Sequence, residues 1–87
     1  MKFTTARLCG GKALMAVSAD VMDIDMDKAE AYVKGLGCRV SSKDDMMMIF
    51  DWNGMEVTWY SQGKVMFFPL EDKSLCIKYA TEFLEAV

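Results

Sequence analysis

From Met46 to Phe68 the chain reads MMMIFDWNGMEVTWYSQGKVMFF, three apolar runs separated by two glycine-containing turns. Asn53-Gly54 is a strong hairpin signal, because both residues accept the positive φ of a type I′ turn. A two-residue loop there sets Trp52 opposite Met55, Phe50 opposite Val57 and Met48 opposite Trp59. Gln62-Gly63, read as a second two-residue turn, sets Tyr60 opposite Val65, Trp59 opposite Met66 and Thr58 opposite Phe67. Side chains alternate across a strand, so one face then holds Met48, Phe50, Trp52, Met55, Val57, Trp59, Met66 and Phe68. The other holds Met47, Ile49, Thr58, Tyr60, Val65 and Phe67, with Asp51 and Glu56 toward one end.

The flanking segments supply what can cover one of these faces. As far as Val21 the chain reads as extended structure interrupted by Gly10-Gly11, with Met15, Val17, Ala19 and Val21 alternating with Leu14, Ala16, Ser18 and Asp20. Asp25 is placed to cap a helix carrying Met26, Ala29, Val33 and Leu36 on one side, and Gly37 ends it. The segment CRVSS follows as a short strand, and KDD turns the chain into the hairpins. Pro69 closes the last strand, since it brings no amide to the ladder. Asp72 caps a second helix with Leu75, Cys76, Tyr79, Ala80, Phe83, Leu84 and Val87 on one stripe, opposite Lys73, Lys78, Glu82 and Glu85.

Two amphipathic helices can bury one sheet face, and no helix remains for the other. An apolar patch of six neighbouring residues exceeds what a monomer usually leaves in water. It is expected to be covered by a second copy, by another protein or by a flat ligand. The alternative is that an N-terminal strand folds over part of it.

Composition narrows the classes. The 87 residues are 53% hydrophobic and 26% charged, as in a single globular domain spanning 1–87. The net charge of −3 argues against non-specific binding to a polyanion, which rewards basic surfaces. No signal peptide or membrane span is recognisable, and a cytoplasmic location is expected. Cys9, Cys38 and Cys76 are odd in number and widely spaced, which reads as buried reduced thiols rather than a disulfide framework.

Several motifs invite a chemistry that their surroundings do not complete. In CGGK, at Cys9 to Lys12, no serine or threonine follows the lysine and no helix start is predicted, so a phosphate loop is not expected. Asp23, Asp25 and Asp27 have the carboxylate spacing of a calcium loop, but Lys28 stands where glycine is required and Lys34 where the bidentate glutamate belongs. Helix capping explains these aspartates better. The nine methionines read as adaptable packing rather than soft-metal ligands. With no histidine and no assembled nucleophile, neither enzyme chemistry nor a cofactor is expected.

The segment MEVTWYSQGKVMFFPLEDKSLCIKYATEFLEAV, with its Ser61-Gln62-Gly63-Lys64 turn, resembles the end of a TATA-binding-protein (TBP) repeat: strand, turn, strand and long helix. The chain also resembles the small N-terminal domain of ribonuclease HIII, a TBP-like fold that binds RNA–DNA hybrid. The resemblance implies an α+β fold in β-α-β-β-β-β-α order, with two helices on the convex face of a curved antiparallel sheet. Its concave face would be the binding surface, and a single repeat would dimerise edge to edge to imitate the saddle. It departs from the DNA-binding pattern in placing Asp51 and Glu56 near the rim, where phosphates would be repelled.

The expected function is therefore a binding or assembly module. Met47, Ile49, Thr58, Tyr60, Val65 and Phe67 would contact a second copy or a protein partner. The alternative is nucleic-acid binding through the same face, with phosphate contacts from Arg39 and Lys64 and stacking on Tyr60 and Phe67. A small-ligand pocket between sheet and helices is a third class.

Overall fold

The computed structural model describes residues 2–20 and 22–86 (for Cys9, the backbone only). Six strands, β1 (Phe3–Leu8), β2 (Ala13–Ser18), β3 (Arg39–Lys43), β4 (Met47–Trp52), β5 (Met55–Tyr60) and β6 (Lys64–Phe68), form one open antiparallel sheet. Helix α1 (Met26–Gly35) joins β2 to β3, and α2 (Lys73–Glu85) follows β6. The fold is α+β in the expected order, with an extended segment of two strands, a helix, four strands and a helix. The first extended segment is a hairpin, turning through Gly10 and Gly11 at φ 69° and 90°. The strand order β1-β2-β6-β5-β4-β3 seats the last strand at the centre, between β2 and β5. The N-terminal hairpin therefore widens the sheet instead of folding over its free face.

Both helices start and stop where local chemistry satisfies their free ends. The Asp25 carboxylate accepts from the Asp27 amide at 2.9 Å, and Asp72 accepts from the amides of Ser74 and Leu75 at 2.9 and 3.2 Å. At the end of α1, Gly37 at φ 83° lets the amides of Gly37 and Cys38 return to the carbonyls of Lys34 and Val33. Leu36 is the C-cap, still at helical dihedrals at the very end of α1. It is 48% exposed, so it does not belong to the buried stripe assigned to it from spacing. Tyr32 packs toward the core in its place. Val21 and Val87, assigned to a strand and to the second helix stripe, lie outside the described residues.

Both helices lie on one face, α1 over β3 and β4 and α2 over β1, β2 and β6. Phe83 of α2 is the hub, its ring 4.9 Å from that of Trp52, 5.3 Å from Trp59, 5.6 Å from Phe50 and 6.0 Å from Tyr32. Full burial of such a side chain contributes about 1.5–3 kcal/mol, and edge-to-face geometry adds roughly 0.5–1.5 kcal/mol per pair. Trp59 is fully buried and its indole N–H has no hydrogen-bond partner among the described residues. Lys43 on β3 fastens α1 from its end, donating to Asp27 and, at 3.4 Å, to Glu30.

The Asn53-Gly54 turn behaves as expected, with both residues at positive φ and Trp52 opposite Met55. The next turn does not. Tyr60 pairs with Lys64, so the loop is the three residues Ser61–Gln62–Gly63, and β6 is displaced by one residue from the two-residue reading. A one-residue slip exchanges the faces of a whole strand. Val65 and Phe67, expected on the free face, are fully buried under the helices, while Met66 and Phe68 leave the core wall for the free face.

Candidate functional site

The register across the sheet defines the free face as three rows of side chains. The middle row runs Ser42, Ile49, Thr58, Met66, Met15 and Ala6 from β3 to β1. Its centre is apolar, and Thr58 is 3% exposed although no helix covers it. The partly buried Ile49 and Met66 flank it on the neighbouring strands. One outer row runs Met47, Tyr60, Lys64, Val17 and Thr4. The other runs Arg39, Asp51, Glu56 and Phe68, the last 39% exposed.

Of the six residues expected to meet a partner, Met47, Ile49, Thr58 and Tyr60 are brought together on this face. Val65 and Phe67 are not. Arg39 and Lys64 do lie on it, but in opposite outer rows, on edge strand β3 and central strand β6, so they do not form one basic patch. Sequence spacing missed Met15 and Val17 as members, because nothing in the local pattern announces that β2 pairs with β6. Met66 and Phe68 were legible in principle: a single glycine at the third loop position favours a three-residue hairpin loop.

The face carries charge at both ends and none in the middle. Asp51 and Glu56 stand directly opposite each other on β4 and β5. Like charges in that relation are mildly unfavourable. Lys64 lies in the opposite outer row with its ammonium 5.9 Å from the Tyr60 ring centre. Among the described residues neither Asp51, Glu56, Arg39 nor Lys64 takes part in an ion pair, all of which involve Lys34 or Lys43. A shallow depression of about 340 Å³ lined by Val17, Ser18, Gln62 and Lys64 borders this end.

Other chemistry is sparse. No group of three or more His, Cys, Asp or Glu side chains able to hold a metal stands together among the described residues. Asp25 is occupied as a helix cap and Asp27 by Lys43. The Lys43 hydrogen bond holds the Asp27 carboxyl below its ordinary range, and the same bond raises the Lys43 ammonium. Cys38 and Cys76 are free thiols, and burial pushes Cys76 up to about 11 and Cys38 upward by less. Neither is an activated nucleophile. No described helix is long and apolar enough to cross a membrane. No protein-family model, curated protein or solved structure matches the chain.

Proposed function

We propose that this chain is a non-enzymatic assembly module that buries the free face of its sheet against protein. One observation carries the reading: the partly exposed Met15, Met66 and Ile49 flank the buried Thr58 across four adjacent strands on a face that neither helix covers. Burying it would remove contiguous apolar surface from water at about 25 cal/mol per Å². A TBP-like unit remains part of the proposal, supported by the order of an N-terminal hairpin, a helix, four strands and a helix, and by two helices sharing one face. The free thiols Cys38 and Cys76 support a cytoplasmic setting. Nucleic acid is the weaker occupant, because Asp51 and Glu56 lie exposed on the same surface.

Light scattering over a hundredfold range of concentration tests this, with the wild type beside Met66→Glu. A mass above the monomer that falls on substitution, with the cooperative melt retained, supports assembly through this face. A persistent monomer that binds single-stranded DNA, with affinity dropping steeply as salt rises, would replace it with the nucleic-acid reading.

A further inference from the structure

The free face has a symmetry that selects its partner. Its apolar middle row separates an outer row holding Asp51 and Glu56 from an outer row holding Tyr60 and Lys64. A two-fold axis lying between two such faces can run along the strands or across them. Along the strands, each row would meet its own copy, where Arg39 is the one cation, and setting Arg39 over Glu56 of the mate would bring Asp51 onto Asp51. Across the strands, the axis follows the middle row, and the outer rows exchange. Ile49 and Met66 then pack on their own copies, and Glu56 comes over Tyr60 of the second molecule. Lys64 is one strand further on, about 4.8 Å away and within reach of a lysine side chain.

We propose that the occupant of this face is a second copy of the chain, docked face to face with the two outer rows interchanged. Glu56 then meets the Tyr60 hydroxyl and the Lys64 ammonium of its mate, twice per dimer. This rests on the free face being an assembly surface and adds its partner and orientation. Two features of the isolated domain support it. The charges at both ends are not consumed by internal ion pairs. Within the three rows Asp51 and Glu56 are balanced by Arg39 and Lys64, with Asp20 bordering the Lys64 end, in a chain of net charge −3.

The test is a charge-reversal set measured by light scattering and sedimentation: wild type, Met66→Glu, Glu56→Lys, Lys64→Glu, the double variant, and an equimolar mixture of the two reversals. Each single reversal should weaken self-association by about tenfold at each of two equivalent contacts. The double variant, and the mixture as a heterodimer, should recover it. At concentrations too low for dimers, Glu56→Lys should melt a few degrees higher than the wild type, because it replaces a like-charge pair opposite Asp51. That gain separates lost association from lost folding. A wild type monomeric at every concentration overturns the second copy as partner. Dimers abolished by Met66→Glu but indifferent to every reversal overturn the orientation and leave the assembly face standing. Dimers indifferent to Met66→Glu overturn the assembly face itself.

Discussion

Replacing Phe67 by alanine, with Met66→Ala beside it, measures the register of β6 directly. Phe67 has no exposed surface, and its ring centre lies 5.8 Å from that of Tyr79, 6.3 Å from Phe83 and 6.4 Å from Trp52. Truncating a phenylalanine so placed costs about 3–5 kcal/mol, combining lost transfer energy with the cavity left behind. At roughly 0.05–0.15 kcal/mol per residue, the whole domain holds about 4–13 kcal/mol. Phe67→Ala therefore either unfolds the chain or lowers its melting temperature by about 12–40 °C. Met66, one position earlier, is partly buried on the free face. Its loss should cost less than about 1 kcal/mol, because no helix packs over it to enclose a cavity. Urea titrations followed by circular dichroism, at protein concentrations low enough to exclude association, give both values. Equal losses, or a greater one for Met66, would refute the placement of β6 and with it the composition of the free face.

Three further outcomes follow from local geometry. Gly63→Ala should destabilise by about 1–2 kcal/mol, because Gly63 sits at φ 96° and an added Cβ would lie 3.0 Å from the Met22 sulfur. Adding Met22→Ala removes the Sδ and Cγ contacts but leaves the Met22 Cβ at 3.2 Å and the backbone strain, so a complete rescue in a urea titration would show that φ is not the cause. For Lys43→Met, the loss should depend on pH. Asp27, with its lowered pKa, contributes stability above the ordinary carboxylate range near about 4, lost as pH falls through the lowered value. Lys43, with its raised pKa, contributes fully below its ordinary range and loses that share as pH rises through the raised value. The difference between wild type and variant should thus be widest near neutral pH and shrink toward pH 2, and a constant difference would assign Lys43 a packing role. Finally, iodoacetamide at pH 8 should label Cys38 well before Cys76, whose burial pushes its thiol up to about 11. Peptide mass mapping reads this, and early labelling of Cys76 would mean that α2 opens readily.

What could be read without the structure was governed by how local the determining interaction is. The β4–β5 register follows from Asn53-Gly54, whose backbone demands only two residues can meet, and the caps at Asp25 and Asp72 follow from one side chain each. The β5–β6 loop was harder, since Gln62-Gly63 and Ser61–Gln62–Gly63 both place one glycine in a turn. That ambiguity of a single residue moved Val65 and Phe67 to the wrong face and hid Met66 and Phe68. Leu36 failed for a different reason: its spacing is right and its amide still bonds to the Tyr32 carbonyl, but as the C-cap it stands at the exposed end of α1. Met15 and Val17 depend on a pairing with β6 that no neighbouring residue encodes.

That same pairing bears on how the chain comes together. The meander from β3 to β6 forms through turns of a few residues, whereas β2 reaches Lys64 from Val17 only by closing a loop of about fifty residues. On a ribosome, the N-terminal hairpin emerges before the meander and must wait for the central strand, the last of the six to be made. Until then Leu14 and Ala16, which end fully buried, have no strand beyond β1 to lie beside. The docking of one hairpin against one finished meander is the slow, long-range event that completes this domain.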